Sequence, residues 1–203
     1  MKRGALVLVL AAAAAFPPAA SAADRCSAPG AKTILQNAQA RLFSVKGKGA
    51  VKRRIYGCVR GRKPILLTSD LSPKDPEQTH TGNGQFRLTG RFAGWVSASF
   101  SDFGAGEFGR SIEVRPLEKG HRKLSQDVSD YQDVGALALR ADGAVAWILR
   151  VDSDYNEVDE IESTSRTATP LAYARGIDPA ALRVDATSAF WKQDGAERSA
   201  PLR

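Results

Sequence analysis

Apolar residues in this chain recur at every second position over short stretches that stop at turn residues, and helical spacing is absent from nearly all of it. Phe86 and Leu88 alternate with Arg87 and Thr89, Ile112 and Val114 with Glu113 and Arg115, and Leu182 and Val184 flank Arg183. A period of two places every other side chain on one face of an extended strand. Thr89-Gly90-Arg91, Lys119-Gly120 and Asp142-Gly143 then read as tight connections between antiparallel neighbours. About fourteen strands are expected, with one short helix at about Thr33–Gln39. Pro73 and Pro76 mark a surface connection near residues 70–83.

The three tryptophans organise the pattern. Phe86-Arg-Leu-Thr-Gly-Arg-Phe-Ala-Gly-Trp95, Leu137-Ala-Leu-Arg-Ala-Asp-Gly-Ala-Val-Ala-Trp147 and Leu182-Arg-Val-Asp-Ala-Thr-Ser-Ala-Phe-Trp191 each run from a spaced apolar strand, through a turn, into a strand ending in an indole. The indoles lie 52 and 44 residues apart, close to the roughly 40 to 50 residues of a four-stranded repeat unit. More polar pairs follow the first two phrases, Ser111–Leu117 with His121–Ser125 and Glu157–Glu162 with Thr167–Tyr173. Ala144–Leu149 is apolar at every position, as a strand covered on both faces must be. Repeated placement predicts that the tryptophans pack in the core rather than form a sugar-binding floor.

These phrases, together with Ile112-Glu-Val-Arg-Pro-Leu-Glu-Lys-Gly120, resemble WD40-like or TolB-like β-propeller repeats. More closely, the chain resembles exported bacterial proteins of uncharacterised role that carry a Cys soon after the leader and later an aromatic-Gly-Cys segment, here Cys26 and Tyr56-Gly57-Cys58. The resemblance implies an all-β fold of propeller-like antiparallel repeats, about four units and incomplete at the ends, serving as an interaction scaffold; it carries over no catalytic residue. Four units stand at the lower limit of known propellers. Either the terminal strands complete one unit together, or an edge is left for another element to cover. A β-sandwich is the alternative architecture.

Export is expected from the N-terminus. Lys2 and Arg3 precede the apolar run Ala5–Phe16, then Pro17, Pro18 and Ala20-Ser21-Ala22, the order of a secretory signal peptide. Residues 1–22 are therefore read as a leader and 23–203 as one all-β domain outside the cytoplasm, periplasmic or secreted. Losing the leader lowers the formal charge from +7 to +5. Ala23, Asp24 and Arg25 lack the small apolar pattern of a lipid-attachment site before Cys26. The rest of the chain holds no apolar run near the roughly 20 residues that span a bilayer. In an oxidising compartment Cys26 and Cys58, the only cysteines, are expected to form a disulfide. It would close a loop worth on the order of 3 to 4 kcal/mol by chain entropy. Two cysteines with His80 and His121 do not make a four-ligand zinc pattern.

Two charged clusters stand out. Lys46, Lys48, Lys52, Arg53, Arg54, Arg60, Arg62 and Lys63 fall in a stretch without an acid, suited to an anionic envelope polymer through screened attraction. Tyr56 is its only aromatic, too little platform for stacked bases, so nucleic acid is not an expected partner. Asp152, Asp154, Asn156, Glu157, Asp159, Glu160 and Glu162 place oxygens at alternating positions, but Glu157 stands where an EF-hand loop needs glycine. No metal or cofactor is expected. Gly104-Ala-Gly-Glu-Phe-Gly109 matches a dinucleotide fingerprint formally, yet a strand pattern rather than a helix follows it. There is no Gly-x-Ser-x-Gly, His-Glu-x-x-His or Ser-x-x-Lys motif. The expected role is a non-catalytic scaffold whose partner is an extracytoplasmic protein or an anionic envelope polymer. A small hydrolase with paired carboxylates or a remote Ser/His/Asp triad is the alternative.

Overall fold

The computed structural model describes residues 25–72, 79–101, 107–118, 124–129, 132–151, 155–161 and 168–202. Fifteen strands run through them: β1 (Lys32–Gln36), β2 (Ala40–Lys46), β3 (Val51–Val59), β4 (Ile65–Leu71), β5 (His80–Thr89), β6 (Phe92–Ser101), β7 (Glu107–Pro116), β8 (Leu124–Val128), β9 (Asp133–Leu139), β10 (Val145–Arg150), β11 (Tyr155–Ile161), β12 (Thr169–Arg175), β13 (Ile177–Val184), β14 (Ser188–Gln193) and β15 (Ala196–Pro201). The expected leader lies outside the described residues, as do Pro73, Pro76, His121 and the Lys119-Gly120 turn. Among the described residues no helix is long and apolar enough to cross a membrane.

The short helix expected at Thr33–Gln39 is a strand. β1 pairs antiparallel with β2, and Ile34 and Leu35 pack against the first core cluster. Asn37 then turns the chain, its Oδ1 accepting the amides of Gln39 and Ala40 at 2.8 Å. Cross-strand pairing and partial burial of Ile34 and Leu35 override a local sequence without a strong turn signal.

Every strand pairs antiparallel with its sequence neighbour within three sheets, β1–β8, β9–β12 and β13–β15. The eight-stranded sheet is divided in the middle, because β4 and β5 share one backbone pair, Leu71 with Thr81. Side chains stitch the rest of that seam. Asp70 accepts the Asn83 amide and Nδ2 through Oδ1, and Arg53 Nε through Oδ2 at 2.6 Å. Arg53 Nη2 also reaches the Asn83 carbonyl. Asp70 and Asn83, two of the three buried polar residues among those described, are buried because they replace this missing ladder. The chain thus falls into four consecutive units, three of four strands and one of three.

The units stack face to face in order. β1 meets β5, β5 meets β9, and β9 meets β13. Each tryptophan lies on the second strand of its unit and faces the unit before it. Trp95 packs with Leu42, Val59 and Leu67; Trp147 with Val96, Ile112 and Val114; Trp191 with Ala136 and Ile148. β10 is apolar from Val145 to Leu149 because both faces are covered there. Val145, Trp147 and Leu149 face the second unit, while Ala144, Ala146 and Ile148 face the fourth. The buried indole N–H groups find no acceptor among the described residues. Burying about 200 Å² of indole contributes about 5 kcal/mol, against about 1 to 3 kcal/mol for an unmet donor, so packing decides the position. No contact comparable to the others joins β13 to β1 among the described residues, so no closed ring is formed there.

Asx turns recur between the first and second strands. Asp142 Oδ1 accepts the Ala144 amide, and Asp185 Oδ1 accepts those of Thr187 and Ser188. A side-chain hydrogen bond from Arg140 holds the Asp142 carboxyl below its usual value, and the two backbone amides do the same for Asp185. Cys26 and Cys58 form a fully buried disulfide, with Cα atoms 5.6 Å apart, packed by Phe43 and Tyr56. It fastens the first described residues to β3.

Candidate functional site

The basic cluster is divided by the strand that carries it. Lys46, Lys48, Lys52, Arg53 and Arg54 gather around the β2–β3 hairpin, while Arg60, Arg62 and Lys63 follow the far end of β3. At about 3.3 Å per residue the seven steps from Arg53 to Arg60 span about 23 Å. Arg60 is also turned onto the Asn37 carbonyl oxygen.

At the hairpin end the register builds a cationic cleft. β1 pairs Lys32 with Ser44 of β2, and β2 pairs Lys46 with Arg53 of β3. Lys32 thereby joins Ser44, Lys46, Lys52, Arg53 and Asp70 around a cleft of about 450 Å³. Arg53 is held by Asp70. Lys32, Lys46 and Lys52 have no ion-pair partner among the described residues. Sequence reading missed Lys32, which lies fourteen residues before the cluster; only the β1–β2 register brings it in.

A second cleft, of about 410 Å³, shares Lys52 and Asp70 with the first and continues across the β4–β5 seam to His80, Phe100, Phe108 and Arg110. Phe100 and Phe108 lie with ring centroids 4.6 Å apart, and Phe108 is half exposed. Arg110 pairs with Asp133 at 2.8 Å. Ser72 and Asp70 line this cleft beside His80, the combination a hydrolase would need. His80 makes no hydrogen bond to either among the described residues, and both Asp70 oxygens serve the seam. The geometry assembles no Ser/His/Asp triad there.

The remaining candidates stay apart. Glu107–Pro116 is strand β7, so no helix follows the glycine-rich segment, and Gly104–Gly106 fall outside the described residues. Of the acidic cluster, Asp152, Asp154 and Glu162 also fall outside them. Asn156 is turned inward, its Nδ2 donating to the Ile177 carbonyl oxygen at 2.8 Å. Among the described residues no group of three or more His, Cys, Asp or Glu comes together as a metal site.

Comparison with known proteins yields no match: no family model, no curated protein and no solved structure is detectably similar to the chain.

Proposed function

We propose that this chain is an exported, non-catalytic β-repeat protein that binds an anionic polymer of the cell envelope along the two adjoining clefts of its first and second units. The observation that carries this reading is the set of three lysines, Lys32, Lys46 and Lys52, without ion-pair partners among the described residues, around one cleft that adjoins a second holding the half-exposed Phe108 against Phe100. An extended polyanion needs spaced cations along its length, and a sugar ring gains from an apolar face beside them. The buried disulfide is consistent with an oxidising compartment and so supports export.

The architecture this reading implies is an open, propeller-like arc. Support comes from the unit plan, with first strands meeting in series and a tryptophan on the second strand of three successive units. Face-to-face stacking of two sheets at a time would equally suit a sandwich description.

Binding of polygalacturonate, with neutral dextran as control, tests the function. At about 0.5 kcal/mol for each exposed charge contact, removing three lysines in the K32A/K46A/K52A variant lowers affinity about tenfold. Binding also weakens steeply as salt rises. Equal affinity of the variant and the parent, or equal binding of dextran, overturns the proposal.

A further inference from the structure

The first strand of every unit is irregular, and three of the irregularities meet. β1 shifts register between Thr33 and Leu35, β5 between Gly84 and Arg87, β9 at Gly135, and β13 between Asp178 and Arg183. Bulges bend a strand and re-aim its side chains, and they concentrate beside binding sites. Those of β5, β9 and β13 line a single cleft of about 520 Å³, within the usual range for a small-molecule site.

The backbone is strained there. Gln85 has φ 49°, and the other non-glycine residue with positive φ among those described, Asp194, sits in the β14–β15 hairpin turn. No hairpin accounts for Gln85. Its Nε2 donates to the Val134 carbonyl oxygen at 2.5 Å, tying the β5 bulge to β9. Gly135 allows the other walls to close in, since a Cβ there would stand 3.3 Å from Pro179 Cβ and Cγ and 3.5 Å from Arg150 Nε.

The charged groups at the cleft are two guanidiniums, Arg87 and Arg150, and one carboxylate, Asp178, so cations are in excess. Arg87 donates from Nε to the Leu137 carbonyl oxygen at 2.7 Å and from Nη1 to that of Phe86 at 3.0 Å, which fixes its guanidinium and leaves the Nη2 hydrogens without an acceptor among the described residues. The Arg150 side chain has no hydrogen bond or ion pair among the described residues, although Asp178 lines the same cleft. Asp178 Oδ1 accepts the Ala180 amide at 2.9 Å within its own bulge, leaving a single negative charge against the two guanidiniums. Pro179 and Leu182 supply the apolar part of a lining that is otherwise mostly polar.

We infer that this bulge-lined cleft, separate from the lysine-lined groove, binds a small organic carboxylate, with Arg150 as the principal contact and Arg87 as a pre-set second one. A guanidinium fork matches a carboxylate in two parallel hydrogen bonds. Pro179 and Leu182 give an aliphatic body an apolar surface that an inorganic oxyanion would not use.

Hexanoate is the probe, with hexanamide, inorganic phosphate and acetate as comparisons, and backbone amide shifts of the cleft residues as the readout. Hexanoate is expected to shift Gly135, Ala136 and Ala180 with a Kd at or below about 1 mM, and hexanamide to bind at least about tenfold more weakly. Arg150 is exposed and unpartnered, so R150A keeps the fold, shown by unchanged thermal unfolding, while losing about tenfold in affinity. Equal binding of hexanamide or phosphate overturns the carboxylate assignment. Undiminished binding in R150A, or loss of hexanoate binding only in K32A/K46A/K52A, overturns the site.

Discussion

The guanidinium of Arg87 on β5 donates from Nε to the carbonyl oxygen of Leu137 on β9, 2.7 Å away, joining two units through a side chain rather than a backbone ladder. β9 is the edge of its sheet, so its outward carbonyls need partners from elsewhere. The same device recurs at other unit boundaries. Asn37 Nδ2 reaches the Gly90 carbonyl oxygen at 3.0 Å, and Arg140 Nη1 reaches that of Leu202 at 2.5 Å. Side chains cover what an isolated edge would leave open.

Trp147 faces the second unit from a strand buried on both sides. Trp147→Ala is expected to cost about 3 to 5 kcal/mol, read as a lower urea midpoint. The native parent should show little acrylamide quenching of its fluorescence, since all three indoles are at most 5% exposed. Strong quenching in the folded protein, or a small midpoint shift, would contradict the packing described.

Reduction of Cys26–Cys58 removes the link between the segment at Cys26 and β3. A C26S/C58S variant should unfold with about 3 to 4 kcal/mol less stability than the oxidised parent. Intact mass with and without reductant checks the bond, and denaturant titration checks its worth.

Asp142 and Asp185 ionise more readily in the fold than their ordinary value of 3.8, through Arg140 and through backbone amides respectively. A depressed carboxyl holds fewer protons when folded than when unfolded, so its contribution is complete above 3.8 and fades as pH falls below it. Thermal unfolding between pH 5 and pH 2.5 should therefore show a smaller drop for D142N/D185N than for the parent, with the two proteins compared at equal ionic strength.

Strands were legible where the period of two survives, as at Ile112 and Val114, whose side chains are buried together. The tryptophan phrases were legible because each repeats one packing task, an indole set against the preceding sheet. β1 was not, because Thr33-Ile-Leu-Gln-Asn-Ala-Gln39 contains no glycine or proline to end a helix, and its partner β2 decides the matter. The bulged cleft left no trace in the alternation. Gln85, Arg150 and Asp178 are brought together only by the stacking of three units. Lys32 escaped for the related reason that register, rather than nearness along the chain, sets cross-strand neighbours.

The joint between β4 and β5 rests on one main-chain rung and a knot of Thr81, Asn83, Asp70 and Arg53. Such a joint yields before the full ladders on either side of it. The second cleft crosses that line, so a long molecule seated along it and the adjoining lysine-lined cleft would clasp both halves and act as a splint on the most pliable crease of the sheet.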